Sequence, residues 1–91
     1  MINRPDAVGW LYVARAYYKM RMFHEVIECI PQTLRNEKTK KEGQHLLSFA
    51  LLQTSQYDAA AASFMKSIHL GNDADWQPLV ELLLEHEDLK L

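Results

Sequence analysis

The chain has 91 residues, a net charge of −2, 48% apolar and 24% charged residues, three glycines and three prolines. This length makes one domain close to the size below which a single core is hard to stabilise; the composition excludes a disordered chain or a turn-rich all-β one, and the charge gives no global reason to expect nucleic acid or an anionic membrane as partner. No apolar run approaches the roughly 18 residues of a membrane span, the polar Asn3, Arg4 and Asp6 leave no signal-peptide core, and the single Cys29 allows no internal disulfide and fits a reducing, intracellular, cytoplasmic compartment.

Residues 1–6 read as a lead-in. Asp6 or Asn3 can cap the first helix, with Pro5 tolerated in its first turn. The spacing of Val8, Trp10, Leu11, Val13, Ala14, Tyr17 and Tyr18 predicts that helix over 6–20, with Gly9 costing it about 1 kcal/mol against alanine. Arg21 and Met22 make a turn, and Val26, Ile27, Cys29 and Ile30 are the buried stripe of a second helix that starts at Phe23. Pro31 removes a helical hydrogen bond, clashes with the carbonyl four residues back and biases Ile30 toward an extended backbone, so that helix is expected to end or kink near Ile30. Residues 35–42 carry four basic and two acidic side chains and read as a solvated connection. A third helix over 39–54 follows, then a tight turn at Thr54, Ser55 and Gln56. The fourth helix, over 58–70, opens with Ala59, Ala60, Ala61 and Ala62, small residues that let a neighbour approach closely. Gly71 and Asn72 tolerate the left-handed backbone that stops it. Asp73 and Asp75 are expected to cap a fifth helix over 75–88, whose leucines exceed what one buried face requires.

The first two helices repeat in the next two. At an offset of 34 residues Val13 falls over Leu47, Ala14 over Ser48, Tyr17 over Leu51, Phe23 over Tyr57, Val26 over Ala60 and Ile30 over Phe64. The pairs match in size or polarity, with little identity. Trp10, Val13, Ala14 and Tyr17, followed by Phe23 and Val26, resemble the tetratricopeptide repeat, a helix-turn-helix unit of 34 residues. The second unit has Gln44 where the family has tryptophan, but keeps Leu47, Ser48, Leu51, Tyr57, Ala60 and Phe64. The resemblance covers residues 7–74 and implies an all-α superhelix of two tetratricopeptide-like hairpins (7–40 and 41–74) with a capping helix over 75–91.

Residues with chemical potential lack the company that chemistry needs. His24 and Glu28 share a helical face, but two ligands do not make a metal site. Cys29 lies on an apolar stripe with no evident activating base. No phosphate loop, dinucleotide fingerprint or nucleophile elbow occurs, so no catalytic residue, cofactor or metal ligand is assigned. The resemblance implies instead that a protein or peptide docks on the first helix of each hairpin. Its partner-binding candidates are Leu11, Arg15, Tyr18 and Lys19 on the first helix and His45, Phe49 and Gln53 on the third, each set spaced along one helical face. The family's carboxylate clamp for chaperone tails is missing, since Leu11, Arg15 and Leu46 stand at the clamp positions. The expected function is a non-enzymatic interaction module that scaffolds a larger assembly, either as a short tetratricopeptide array or as a fragment of a longer tetratricopeptide protein. Two alternatives are a unit that self-associates as a homodimer through the leucine-rich last helix, with Leu83 at the contact, and a small chaperone that shields a partner helix.

Overall fold

The computed structural model describes residues 6–86 and 88. The expected placement of Pro5, and the capping helix beyond Glu85 apart from His86 and Asp88, lie outside the described residues. Among the described residues five α-helices form: α1 (Ala7–Lys19), α2 (Phe23–Thr33), α3 (Glu37–Gln53), α4 (Tyr57–His69) and α5 (Trp76–Glu85), the last preceded by a 3-10 turn at Asp73–Asp75. There is no strand among the described residues. Each helix packs on the next, and α1 also reaches α3, giving a body of 50 × 24 × 19 Å.

The turns have a common construction. Arg21 (φ 60°) and Ser55 (φ 62°), 34 residues apart, take the left-handed backbone, as does Gly71 (φ 108°). After α1 the Met22 N–H donates to the Tyr17 carbonyl (2.9 Å) and the Arg21 N–H to that of Tyr18 (3.0 Å). After α3 the Gln56 and Ser55 N–H groups donate to Leu51 (3.0 Å) and Leu52 (3.1 Å), and after α4 those of Asn72 and Gly71 to Ser67 (3.1 Å) and Ile68 (2.9 Å). This closure satisfies carbonyls that a helix end otherwise leaves open. The two turns joining α1 to α2 and α3 to α4 are three residues long, so each second helix folds back on the first.

Two apolar clusters fill the interior. Ala14, Val26, Cys29, Ile30 and Ala50 form one, and Leu51, Ala60, Ala61, Phe64, Leu79 and Leu82 the other. The consecutive residues Ala50 and Leu51 of α3 therefore serve different clusters, while Ile27 and Leu47 border both. Phe64 is wholly buried, which contributes up to about 3 kcal/mol. Residues 34 apart share their burial: Ala14 with Ser48, Val26 with Ala60 and Ile30 with Phe64 are all at 0% exposure.

Three boundaries differ from the sequence reading by more than one residue. α2 does not end at Ile30 but runs through Pro31 to Thr33. The proline is exposed and sits in the last turn, where it costs one hydrogen bond. The Ile30 carbonyl still accepts from the Leu34 N–H (3.1 Å) and the Thr33 hydroxyl (2.7 Å). α3 begins inside the charged stretch read as a connection, because Asn36 caps it by accepting from the Lys38 N–H at 2.8 Å. Thr39, expected at the helix start, is instead buried and donates to the Thr33 carbonyl at 2.6 Å. α5 stops at Glu85, where the His86 ring leaves the helix to stack on Tyr57 at 4.0 Å between centroids.

Gly43 of α3 lies against Thr33 of α2. A Cβ built on Gly43 falls 2.0 Å from Thr33 Oγ1 and 2.9 Å from Thr33 Cβ. Gly43→Ala therefore sets a helix-propensity gain of about 1 kcal/mol against an overpacking cost of about 1–3 kcal/mol. Because Thr33 is anchored at both hydroxyl and carbonyl, the cost is expected to win. Thermal unfolding of Gly43→Ala should show a lower Tm than the parent; a higher one would mean that the two helices part without penalty.

Candidate functional site

The face of α1 and α3 singled out by the sequence is largely occupied by contacts within the chain. Arg15 of α1 forms a two-pronged ion pair with Glu42 of α3 and lies over the Tyr12 ring at 5.3 Å. The hydrogen bond to Glu42 raises the Arg15 pKa, and the guanidinium holds the Glu42 carboxyl below its ordinary value. Tyr18 sets its ring edge-on to Phe23 at 5.3 Å, and burial pushes its phenol pKa up. Phe49 stands edge-on to both His45 (5.0 Å) and Phe64 (5.1 Å). Leu11 corrects the sequence reading: at 6% exposure it belongs to the core and offers nothing to a partner. Of the predicted set only Lys19 and Gln53 are fully open.

His45 leads to the most polar part of the interior. Its Nδ1 lies 2.8 and 3.0 Å from the two oxygens of the Asp75 carboxylate. A carboxylate accepts, so this nitrogen carries the hydrogen. Ser67 of α4 donates to the same carboxylate at 2.5 Å, and Asn72 donates both to Ser67 Oγ and to the Lys41 carbonyl, each at 2.8 Å. Asp75 is only 1% exposed. The expectation that Asp75 caps the fifth helix is thus corrected: its side chain makes no cap bond, because it is turned inward to tie α3 and α4 to the start of α5. Serine, histidine and aspartate meet here without forming a nucleophilic relay. Such a relay needs the hydroxyl bonded to the imidazole, whereas Ser67 is wholly buried and donates to the carboxylate. A second buried set lies nearby, where Gln44 donates to Ser63 Oγ and that oxygen pairs with Ser48 Oγ, both at 2.7 Å.

Other candidates for chemistry stay separate. His24 and Glu28 are exposed on α2, and no three potential metal ligands come together among the described residues. Cys29 is buried at 5% exposure; desolvation, then the charges of Glu28 and Glu25, raises its pKa, the reverse of what a reactive thiolate needs. No helix among the described residues is long and apolar enough to cross a membrane.

Exposed apolar side chains stand in two places, Val8, Tyr12, Met20 and Met22 on and after α1, and a set over α4 and α5 that borders grooves. α5 buries Leu79 and Leu82 (4% and 2% exposed) and turns Trp76, Val80 and Leu84 outward (56%, 47% and 73% exposed). Met65 of α4 joins them at 50%. Between the two helices runs a groove of about 380 Å3 lined by Met65, Ile68, His69, Trp76, Leu79 and Leu83. A second groove of about 390 Å3 continues it across Met65 and His69 to Lys66 and Leu70 of α4 and to Lys40 and Gln44 of α3. Leu83, assigned to a contact from sequence, is half-buried in the wall of the first groove. Trp76, Val80, Leu84 and Met65 were not singled out. The signal was the spacing 76, 80, 84, a second apolar stripe beside the one formed by Leu79 and Leu82.

Comparison of this chain with protein-family models, with curated proteins and with solved structures returns no match.

Two measurements follow from the polar contacts. Asp75→Ala leaves Ser67 and His45 without their acceptor. Ser67 is the buried group left unsatisfied, which costs about 1–3 kcal/mol, so in a domain of this size the Tm is expected to fall on the order of 10 °C. Asp75→Asn keeps an acceptor oxygen and should fall less; equal Tm values for the parent and Asp75→Ala would remove the tie from the structure. The Arg15–Glu42 pair acts on pH dependence. Glu42 has a lowered folded-state pKa, so the pair's contribution is present above the ordinary carboxylate value and lost as pH falls through the lowered one. With side chains 41% and 40% exposed, solvent screening keeps that contribution small. Glu42→Gln is expected to lower Tm slightly at neutral pH, with the difference vanishing in strong acid; a difference that grows on acidification would contradict the pairing.

Proposed function

We propose that this chain is a non-enzymatic protein–protein interaction module, built of tetratricopeptide-like hairpins and scaffolding a larger assembly in a reducing, cytoplasmic compartment. The repeat reading is supported by the left-handed turn residues Arg21 and Ser55 at an offset of 34 and by the matched burial of Ala14 with Ser48, Val26 with Ala60 and Ile30 with Phe64. α5 turns three apolar side chains outward beside an apolar groove.

That outward apolar face is the observation that carries the proposal. Contiguous exposed apolar surface with a polar rim marks interaction sites in soluble proteins, and tryptophan and methionine, present here as Trp76 and Met65, are enriched at interface centres. The α1–α3 face, where the resemblance placed the partner, has its arginine and histidine paired internally, so the binding role moves to α4 and α5.

A photo-crosslinking residue placed at Val80 or Leu84 in the full chain, and at exposed Gln53 for comparison, tests the reading in cells. The expected result is a discrete adduct from the two α5 positions and none from Gln53. Absence of any α5 adduct, or equal labelling at all three positions, would remove this face as the binding surface.

A further inference from the structure

The apolar strip has charged margins of opposite sign. On the α4 side Lys66, with Lys40 of α3 beyond it, borders the second groove. On the far side of α5 stand the exposed Glu81 and Glu85. Each follows an outward apolar residue, Val80 or Leu84, and so lies about 100° further round the helix. The groove wall is made by Trp76, Leu79 and Leu83, which places these two acids on the side of α5 turned away from α4. The order across the surface is therefore basic margin, apolar groove, apolar ridge, acidic margin.

We propose that the occupant of this surface is a second copy of the same chain, related by a two-fold axis. The inference rests on the interaction-module reading and names its partner. A two-fold interface presses a patch against itself, so the patch must be self-complementary. Take an axis lying in the interface and perpendicular to the line that joins the two margins. It lays the acidic margin of each copy over the basic margin of the other, and leaves apolar surface over apolar surface between them. Glu81 and Glu85 then meet Lys66 and Lys40 twice. Ridge and groove also match in kind: Trp76, Val80 and Leu84 form the row of anchors, four residues apart, that an amphipathic helix presents to a hydrophobic groove, and the α4–α5 groove is such a receptor. A foreign partner would need this same ordering of charge and apolar surface, whereas a second copy carries it already.

The test is sedimentation equilibrium of the full chain from micromolar to millimolar concentration, with folding checked by circular dichroism. The parent is expected to reach twice the chain mass. Leu84→Glu, at a position 73% exposed, should keep the helical spectrum and weaken association by about 30-fold or more. The acid-reversed chain (Glu81→Lys with Glu85→Lys) and the base-reversed chain (Lys40→Glu with Lys66→Glu) should each remain monomeric alone and form a one-to-one heterodimer when mixed. A parent that stays monomeric to millimolar concentration overturns the second copy, as does a dimer that Leu84→Glu leaves intact or a mixture of reversed chains that fails to pair. A monomeric parent whose Val80 or Leu84 crosslinks to a foreign chain overturns this proposal and leaves the interaction-module reading standing. A monomer without crosslinks sinks both.

Discussion

The structure depends on how closely α3 lets its neighbours approach. Among the described residues it packs on three other helices, α1, α2 and α4, and bulk on its surface would push at least one of them away. Its buried residues are accordingly small or polar, apart from Leu51: Thr39, Gly43, Gln44, Ser48 and Ala50. Small size brings backbones together, but polar atoms brought into a core must find partners or cost stability. Here they do. Gln44 and Ser48 share Ser63, Thr39 bonds the end of α2, and no buried side-chain nitrogen or oxygen among the described residues lacks a partner.

This economy of the interior also decides where surface is left for other molecules. Arg15 of α1 pairs with Glu42 of α3, and His45 of α3 bonds Asp75, so two polar side chains on the side that the resemblance marked for a ligand are already engaged within the chain. Asp75 in turn sets the position of α5, because it binds His45 and Ser67 at the point where the chain enters that helix. With its start held there, α5 covers the second apolar cluster with Leu79 and Leu82, and Leu83 packs at its edge. The remaining apolar residues have nowhere inside to go. The interaction surface is thus a consequence of the same packing that stabilises the fold, since a ten-residue helix touching one neighbour has one side buried and one side open.

Much of the architecture was legible along the chain. The 3.6-residue spacing of Val26, Cys29 and Ile30, the alanines that open α4 and the glycine at position 71 each report on local backbone or on one helical face, and the helices appear where those signals put them. The signals that misled were also local. Pro31 was weighed as a breaker, yet its cost is one hydrogen bond, which a helix already packed against α1 and α3 tolerates in its last turn. The charged run 35–42 looked like a solvated connection, but the Asn36 cap starts a helix there and Thr39 buries one side of it. Asp75 stood in a capping pattern, and its pull toward His45, thirty residues away in sequence, has no local trace.

By itself the sequence determined helix content and which residues share a face, because these follow from spacing along one chain segment. Only the tertiary structure decided which of two apolar stripes on α5 is buried, since that depends on the direction from which α4 arrives. It also decided that Leu11 is core, that Arg15 and His45 are already paired, and that Trp76, Val80 and Leu84 face outward. Each of those outcomes is a competition between distant segments for the same small area of surface, and the winner depends on distances in space that no spacing along the chain encodes.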